Sequence, residues 1–346
     1  MLRPLVPVTA ITLFLTPLAA RADVPQVLAD TIPVHSLVAQ VMGDLGQPAL
    51  LLPPGVSVHD YQLRPSDAAT LSGADVVFWT GEPLTPWLAE PLVTLAPEAE
   101  RVDLLSTGGW TALPLRRDAA FDDGHGHGHG GHDHDHGHDQ GAEDHDHDHG
   151  HDHDHGHDHD HGHADGHDHS GTAEGQNTDP HAWLSPDVAA AWVGHIADTL
   201  AAADPGNAAT YRANAAAATD RLARLEADLA ARLAPLAGAG YLVPHDAYQY
   251  FETAFGLPAA GAIALSDAAS PGPAHVAALR DRVTAGGITC ILTDPQTNPD
   301  WTALLREGGE TRTATVDADG TLVTPGPDAH AAILTGIAAA LEDCLS

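Results

Sequence analysis

The segment NAATYRANAAAATDRLARLEADLAARL, residues 207–233, decides the fold. It contains no glycine or proline, and Tyr211, Leu222, Leu225, Leu229 and Leu233 give it one apolar stripe. At 1.5 Å per residue such a helix is about 40 Å long, enough to brace two lobes. Asp204-Pro205-Gly206 ends a preceding helix, which Ser185-Pro186 opens and which runs to about residue 203.

Strand and helix patterns alternate on both sides of this pair. Before it come a strand at 24–29, a helix at 35–45 (Leu37, Val38, Val41, Met42, Leu45), and a strand at 48–54. A short helix at 65–71 with Ser66 as its cap, a strand at 74–80, a helix at 84–95 and a strand at 101–105 follow. After it the order restarts: strands at 241–243, 260–264, 289–293 and 313–316 are interleaved with helices at 247–255, 273–285, 299–307 and 329–345. Such alternation favours parallel sheets, so the expected fold is α/β, two βα lobes joined by a long rigid helix. The expected segments are an N-terminal lobe at 23–186, connecting helices at 187–235 with the long linker at about 207–234, and a C-terminal lobe at 236–346.

The first 22 residues stand apart. A basic start at Met1–Arg3, an apolar stretch to Ala20 and the small residues of Ala20-Arg21-Ala22 read as a secretory signal peptide cleaved after Ala22. The expected location is the periplasm. Hydrophobic residues make up 43% of the chain, which is ample for two cores, and aromatic residues only 5%. The formal charge of −34, with all 14 cationic side chains arginine, argues against nucleic acid as a partner. Cys290 and Cys344 are the only cysteines. In an exported chain such a pair favours a disulfide over two buried thiols, closing a loop of about 55 residues and contributing roughly 4 kcal/mol. Without a CxxC spacing, a metal role is disfavoured.

Composition breaks sharply between about 122 and 175. His125, His127, His129, His132, His134, His136, His138, His145, His147, His149, His151, His153, His155, His157, His159, His161, His163, His167 and His169 account for 19 of the 26 histidines, interleaved with Asp and Gly. Almost nothing here is apolar, so the segment is expected to lack a packed core and to offer several accessory zinc sites.

Three histidines outside the tract have the context of a built site. His59 follows an expected strand in Val56-Ser-Val58-His59-Asp60, His181 sits in Asp179-Pro180-His181-Ala-Trp183, and His245 ends the apolar run Tyr241-Leu-Val-Pro-His245. Asp294 directly follows the strand containing Cys290. Ligands in parallel α/β folds gather at the carboxyl ends of strands, and imidazoles with a carboxylate form a usual zinc set. Three nitrogen donors suit zinc, copper or nickel, and manganese prefers more oxygen donors. The intervals of 122 and 64 residues match no local metal motif, so spacing leaves the joint site open. Asp60 and Asp246 are adjacent candidates for orienting the rings. His35, His195, His275 and His330 read as structural or surface residues.

The runs Val34-His-Ser-Leu-Val38, Val58-His59-Asp-Tyr-Gln-Leu-Arg64-Pro-Ser-Asp67, His181-Ala-Trp-Leu-Ser-Pro186, His245-Asp-Ala-Tyr-Gln-Tyr-Phe251 and Asp294-Pro-Gln-Thr-Asn-Pro299 resemble the zinc-specific solute-binding proteins of bacterial ABC importers. That cluster also contains manganese binders and adhesin-like lipoproteins. The resemblance implies a metal site in the inter-lobe cleft with His59, His181 and His245 as ligands to Zn2+. It matches Cys290 and Cys344 to a C-terminal disulfide and the His/Asp tract to a charged loop. Zinc members usually carry Glu where this chain has Asp294, so Asp294 is a second-rank ligand, with water as the alternative. The implied function is capture of zinc for a membrane permease by a non-enzymatic monomer, with the permease subunits as partners and a periplasmic metallochaperone as a further one. Two other readings remain: a zinc hydrolase, although the chain has no HExxH, and a metal buffer whose tract does all the binding.

Overall fold

The computed structural model describes residues 24–59, 61–116, 121, 177–266, 270–307 and 310–346. The expected signal peptide, the histidine tract and Asp60 lie outside these residues. No helix among the described residues is long and apolar enough to cross a membrane.

The N-terminal lobe alternates β1 (Val27–Ala29), α1 (Ile32–Met42), β2 (Ala49–Leu50), α2 (Pro65–Ser72), β3 (Val76–Trp79), α3 (Ala89–Leu95) and β4 (Glu100–Asp103). Its four strands are parallel in the order β2-β1-β3-β4. Two helices follow, α4 (Pro186–Ala203) and α5 (Ala208–Leu233). The C-terminal lobe then runs β5 (Tyr241–His245), α6 (Gln249–Phe255), β6 (Gly261–Ala264), α7 (Pro273–Thr284), β7 (Cys290–Thr293), α8 (Pro299–Arg306), β8 (Arg312–Thr315) and α9 (Ala329–Leu345). Its sheet is also parallel, in the equivalent order β6-β5-β7-β8.

The central strands are covered on both faces, which is why β1, β3, β5 and β7 read as short apolar runs, whereas the edge strands β4 and β8 are mostly polar and more exposed. Alternate residues point to opposite sides. Val76 and Phe78 of β3, Tyr241 and Val243 of β5, and Cys290 and Leu292 of β7 enter one large core shared by the two lobes. Val77 and Trp79 instead join a separate cluster with Leu71, Leu88 and Leu92, while Leu242 and Ile291 join another with Val276, Leu279 and Leu305. The shared core makes the two sheets one packed body.

The brace between them is α5, 26 residues and about 39 Å long. It packs against α4, α1 and α9. Its buried stripe is Tyr211, Ala215, Ala218, Leu222, Leu229 and Leu233, with Leu225 partly buried. Polar contacts cross the lobes as well. Trp183 Nε1 donates to Ala318 O (2.9 Å), and Ser36 Oγ donates to Pro327 O (2.9 Å). Arg232 of α5 makes a two-pronged pair with Glu342 of α9. Gly320, at φ +74°, packs so closely on Ile32 and Ile333 that a Cβ would lie 2.7 Å from an Ile333 methyl.

Cys290 and Cys344 form a disulfide that ties the start of β7 to the end of α9. Two local expectations differ from the structure. The expected strand at 48–54 forms ladder pairs only at Ala49–Leu50. Ser66 is not the cap of α2: Arg64 occupies that position, and the Asp67 carboxylate accepts from the Arg64 backbone N–H at 2.8 Å. An acidic side chain three residues into the helix satisfies the open N–H more directly than a serine at its second position.

Candidate metal centre

The three separated histidines converge. Each offers a ring nitrogen, and the three atoms lie within 4.8 Å of one another. Ring centroids are 5.5 Å apart for His59 and His181, 5.6 Å for His181 and His245, and 6.2 Å for His59 and His245. Among the described residues this is the only such group of three or more His, Cys, Asp or Glu side chains.

Each ring is set by its own stretch of chain. His59 rides the loop after β2, where Trp87 Nε1 holds Val58 O at 2.9 Å and the His59 N–H donates to Ser57 Oγ. Downstream of His59, Tyr61, Arg64 and Asp67 hold the loop. Tyr61 OH donates to Asp67 (2.7 Å), Arg64 Nε donates to Tyr61 OH (3.0 Å), and Tyr61 stacks edge-on against Trp87. His181 caps a short 3-10 turn, Ala182–Leu184, and is 4% exposed. His245 is the last residue of β5 and equally buried.

Two carboxylates orient two of the rings. His181 Nδ1 lies 2.9 Å from Asp179 Oδ1, which also accepts the His181 backbone N–H at 3.0 Å. His245 Nδ1 lies 3.1 Å from Asp294 Oδ2. A carboxylate at Nδ1 fixes the neutral tautomer with Nδ1–H donating, so Nε2 is the nitrogen available to metal. Burial pushes Asp179 up to about 7, against the pull of the His181 N–H, Arg116, His245 and His59. Burial also opposes ionisation of Asp294, but the hydrogen bonds from His245 and Thr297 and the neighbouring His245 hold it below the usual carboxylate value.

Asp294, expected as a second-rank ligand, therefore stands behind His245 and outside the group of donor atoms. Its Oδ1 accepts from Gln296 N and Thr297 Oγ1, so both oxygens have protein partners. A cavity of about 140 Å³ adjoins His245 and Asp294, lined also by Ser266, Ser270, Asn298 and Trp301. Asp246, expected as a ring-orienting neighbour, instead pairs with Arg116 at 2.9 Å. Of the two carboxylates that do this work, Asp179 was not singled out, and Asp294 was expected as a ligand and not as an orienting group. Asp179 carried one signal, its position two residues before His181 across a proline; Asp294 carried the strand end after β7.

The remaining histidines outside the tract all bond to backbone carbonyls through Nε2. His35 reaches Pro48 O, His195 reaches Gly108 O, His275 reaches Ala262 O, and His330 reaches Trp183 O at 2.7 Å. Burial lowers His35 and His330, keeping both neutral.

The family described as "ZnuA: Zinc-uptake complex component A periplasmic" matches residues 27–344. The chain belongs to this ZnuA family. A ZnuA protein of Paracoccus denitrificans (strain Pd 1222), named a high-affinity zinc uptake system protein, is 45% identical over 346 residues, covering 100% of this chain and 99% of that one. Its namesake in Brucella suis biovar 1 (strain 1330) is 40% identical over 314 residues, 91% of this chain and 90% of the other. The fold is shared with the crystal structure of a 138–173 ZnuA deletion mutant with zinc bound. That match has a TM-score of 0.67 and 19% identity, covering 94% of this chain and 99% of the other. Paired four-stranded parallel sheets and a long central helix are thus the ZnuA architecture, and its members are described as periplasmic.

Proposed function

We propose that this chain binds Zn2+ through the Nε2 atoms of His59, His181 and His245 and hands it to the permease subunits of an ABC-type importer. The observation that carries the reading is the convergence of three imidazoles to within 4.8 Å, two of them backed by buried carboxylates. Three imidazole nitrogens suit zinc, at about 2.0–2.1 Å per bond, and suit manganese poorly. Zinc is cargo here. Three protein donors leave one tetrahedral position, and solvent takes it, since both Asp294 oxygens have other partners. Asp179 and Asp294 act as orienting groups that also balance the charge of the bound cation.

The lobes at 23–186 and 236–346, joined by 187–235, present one ligand pair and one single ligand across the cleft. The signal peptide is removed after Ala22 and the mature chain works in the periplasm. The tract from His125 to His169 is accessory: it gathers or senses zinc and does not form the transported site. A binding role is favoured over hydrolysis because the two carboxylates beside the rings are committed to Nδ1 and backbone donors, so neither of them is aimed as a base at a metal-bound water.

Zinc accumulation from zinc-poor medium tests this reading. Cells lacking the chain regain uptake with the wild type and with a variant deleted for 125–169. They do not regain it with His59, His181 and His245 all changed to Ala. Uptake restored by the triple variant would end the proposal.

A further inference from the structure

Beside the metal centre, a strap of the N-terminal lobe at 113–116 crosses to the C-terminal lobe. It pairs on one side with the chain that leads into His181: Leu115 N donates to Asn177 O (2.8 Å) and Asp179 N to Leu113 O (2.8 Å). On its other side it meets the segment that follows His245. Leu113 N donates to Tyr250 OH (2.9 Å), and Gln249, with its amide nitrogen facing these acceptors, reaches Pro114 O (3.0 Å) and Asp179 Oδ2 (3.3 Å). Arg116 ends the strap. Its guanidinium holds Asp246 Oδ1 at 2.9 Å and Glu252 Oε2 at 2.6 Å, with the Phe121 ring 4.0 Å away on its face. Both carboxylates are nearly inaccessible, at 5% and 3%, and Arg116 itself is only 22% exposed.

Resting on the three-histidine zinc site proposed above, we infer that Arg116 is a positioning residue, a latch between the two lobes that slows release of bound zinc. Asp246 is the residue after His245, and Asp179 orients His181. One strap thus touches the chain that carries a ligand from each lobe. Pulling zinc out requires the His245 side to part from the His59 and His181 side, and that motion stretches the Arg116 contacts. A two-pronged guanidinium is suited to this, because it fixes direction as well as distance. Lysine carries the charge without the fork. The latch acts on the bound state, so its loss appears in the dissociation rate, as contact losses at an interface generally do.

The test is stopped-flow release of one equivalent of Zn2+ from the full-length chain into excess chelator. The background replaces the tract histidines by serine, and wild type, Arg116→Lys and Glu252→Gln are compared there. The variants should release zinc about tenfold faster, the lower end of the 10–100-fold cost of losing a partner that orients a ligand. Association should stay within about twofold. Arg116→Met combined with Asp246→Asn and Glu252→Gln, which removes the charges of the cluster together, should fold and release zinc as fast as the single variants. Release within twofold of wild type in folded variants, even with a lowered melting temperature, would reduce Arg116 to a structural ion pair and overturn the inference. Failure of the wild-type background to hold one zinc would instead overturn the site.

Discussion

In the N-terminal lobe the crevice between β1 and β3 is closed by a carboxylate. Asp30, just past β1, accepts from Thr80 N beyond β3 at 2.7 Å and from Thr31 N at 2.7 Å, and it is fully buried. In the C-terminal lobe the equivalent crevice, between β5 and β7, carries the acid on the other strand. His245 ends β5, and Asp294, just past β7, holds its Nδ1 at 3.1 Å. The strand orders are equivalent, and so is the switch point where ligands of open α/β sheets gather. An acid facing backbone N–H groups seals one crevice into structure. An imidazole facing an acid turns the other into a metal ligand, because only the ring has a second nitrogen to offer outward.

That contrast can be broken by substitution, in decreasing order of effect on zinc. His245→Ala removes a ligand and should weaken zinc binding by more than the roughly 100-fold upper cost of losing an orienting partner; calorimetry on the 125–169 deletion reads it. Asp294→Asn keeps the shape but not the charge, and should weaken zinc by about 10–100-fold with little loss of thermal stability. A loss under twofold would make Asp294 a bystander. Asp30→Asn should leave zinc affinity within about twofold and change stability instead. Burial pushes Asp30 up to about 6, against the N–H groups of Thr80 and Thr31. A carboxyl raised in the folded state stabilises fully below its unfolded value near 3.8, and that contribution is lost as pH rises through about 6. The neutral Asn variant should therefore gain on wild type by roughly 2–3 kcal/mol between pH 4 and pH 7, read by denaturant unfolding. Parallel pH profiles would mean that Asp30 does not ionise in the folded chain.

Much of this was legible in the sequence, for identifiable reasons. Residues 207–233 read as one helix because nothing in them breaks it and the apolar spacing is helical; the structure gives Ala208–Leu233. Strands buried on both faces, such as Val76–Trp79 and Cys290–Thr293, stand out as apolar runs between turn residues. The histidines were legible by context and by resemblance, not by spacing, since the fold brings together positions up to 186 residues apart. Side-chain pairing was not legible. Asp246 and Asp294 both sit at strand ends near His245, and only the packed chain assigns the first to Arg116 and the second to the imidazole. Arg116 itself carried no signal, because its partners lie 130 and 136 residues away.

The most direct test is the zinc stoichiometry of the chain deleted for 125–169, by competitive titration against a chelator, with and without His59, His181 and His245 changed to Ala. One tightly held zinc per chain in the deletion, absent from the triple variant, is the expected result. One zinc still held tightly by a folded triple variant would contradict the three-histidine site.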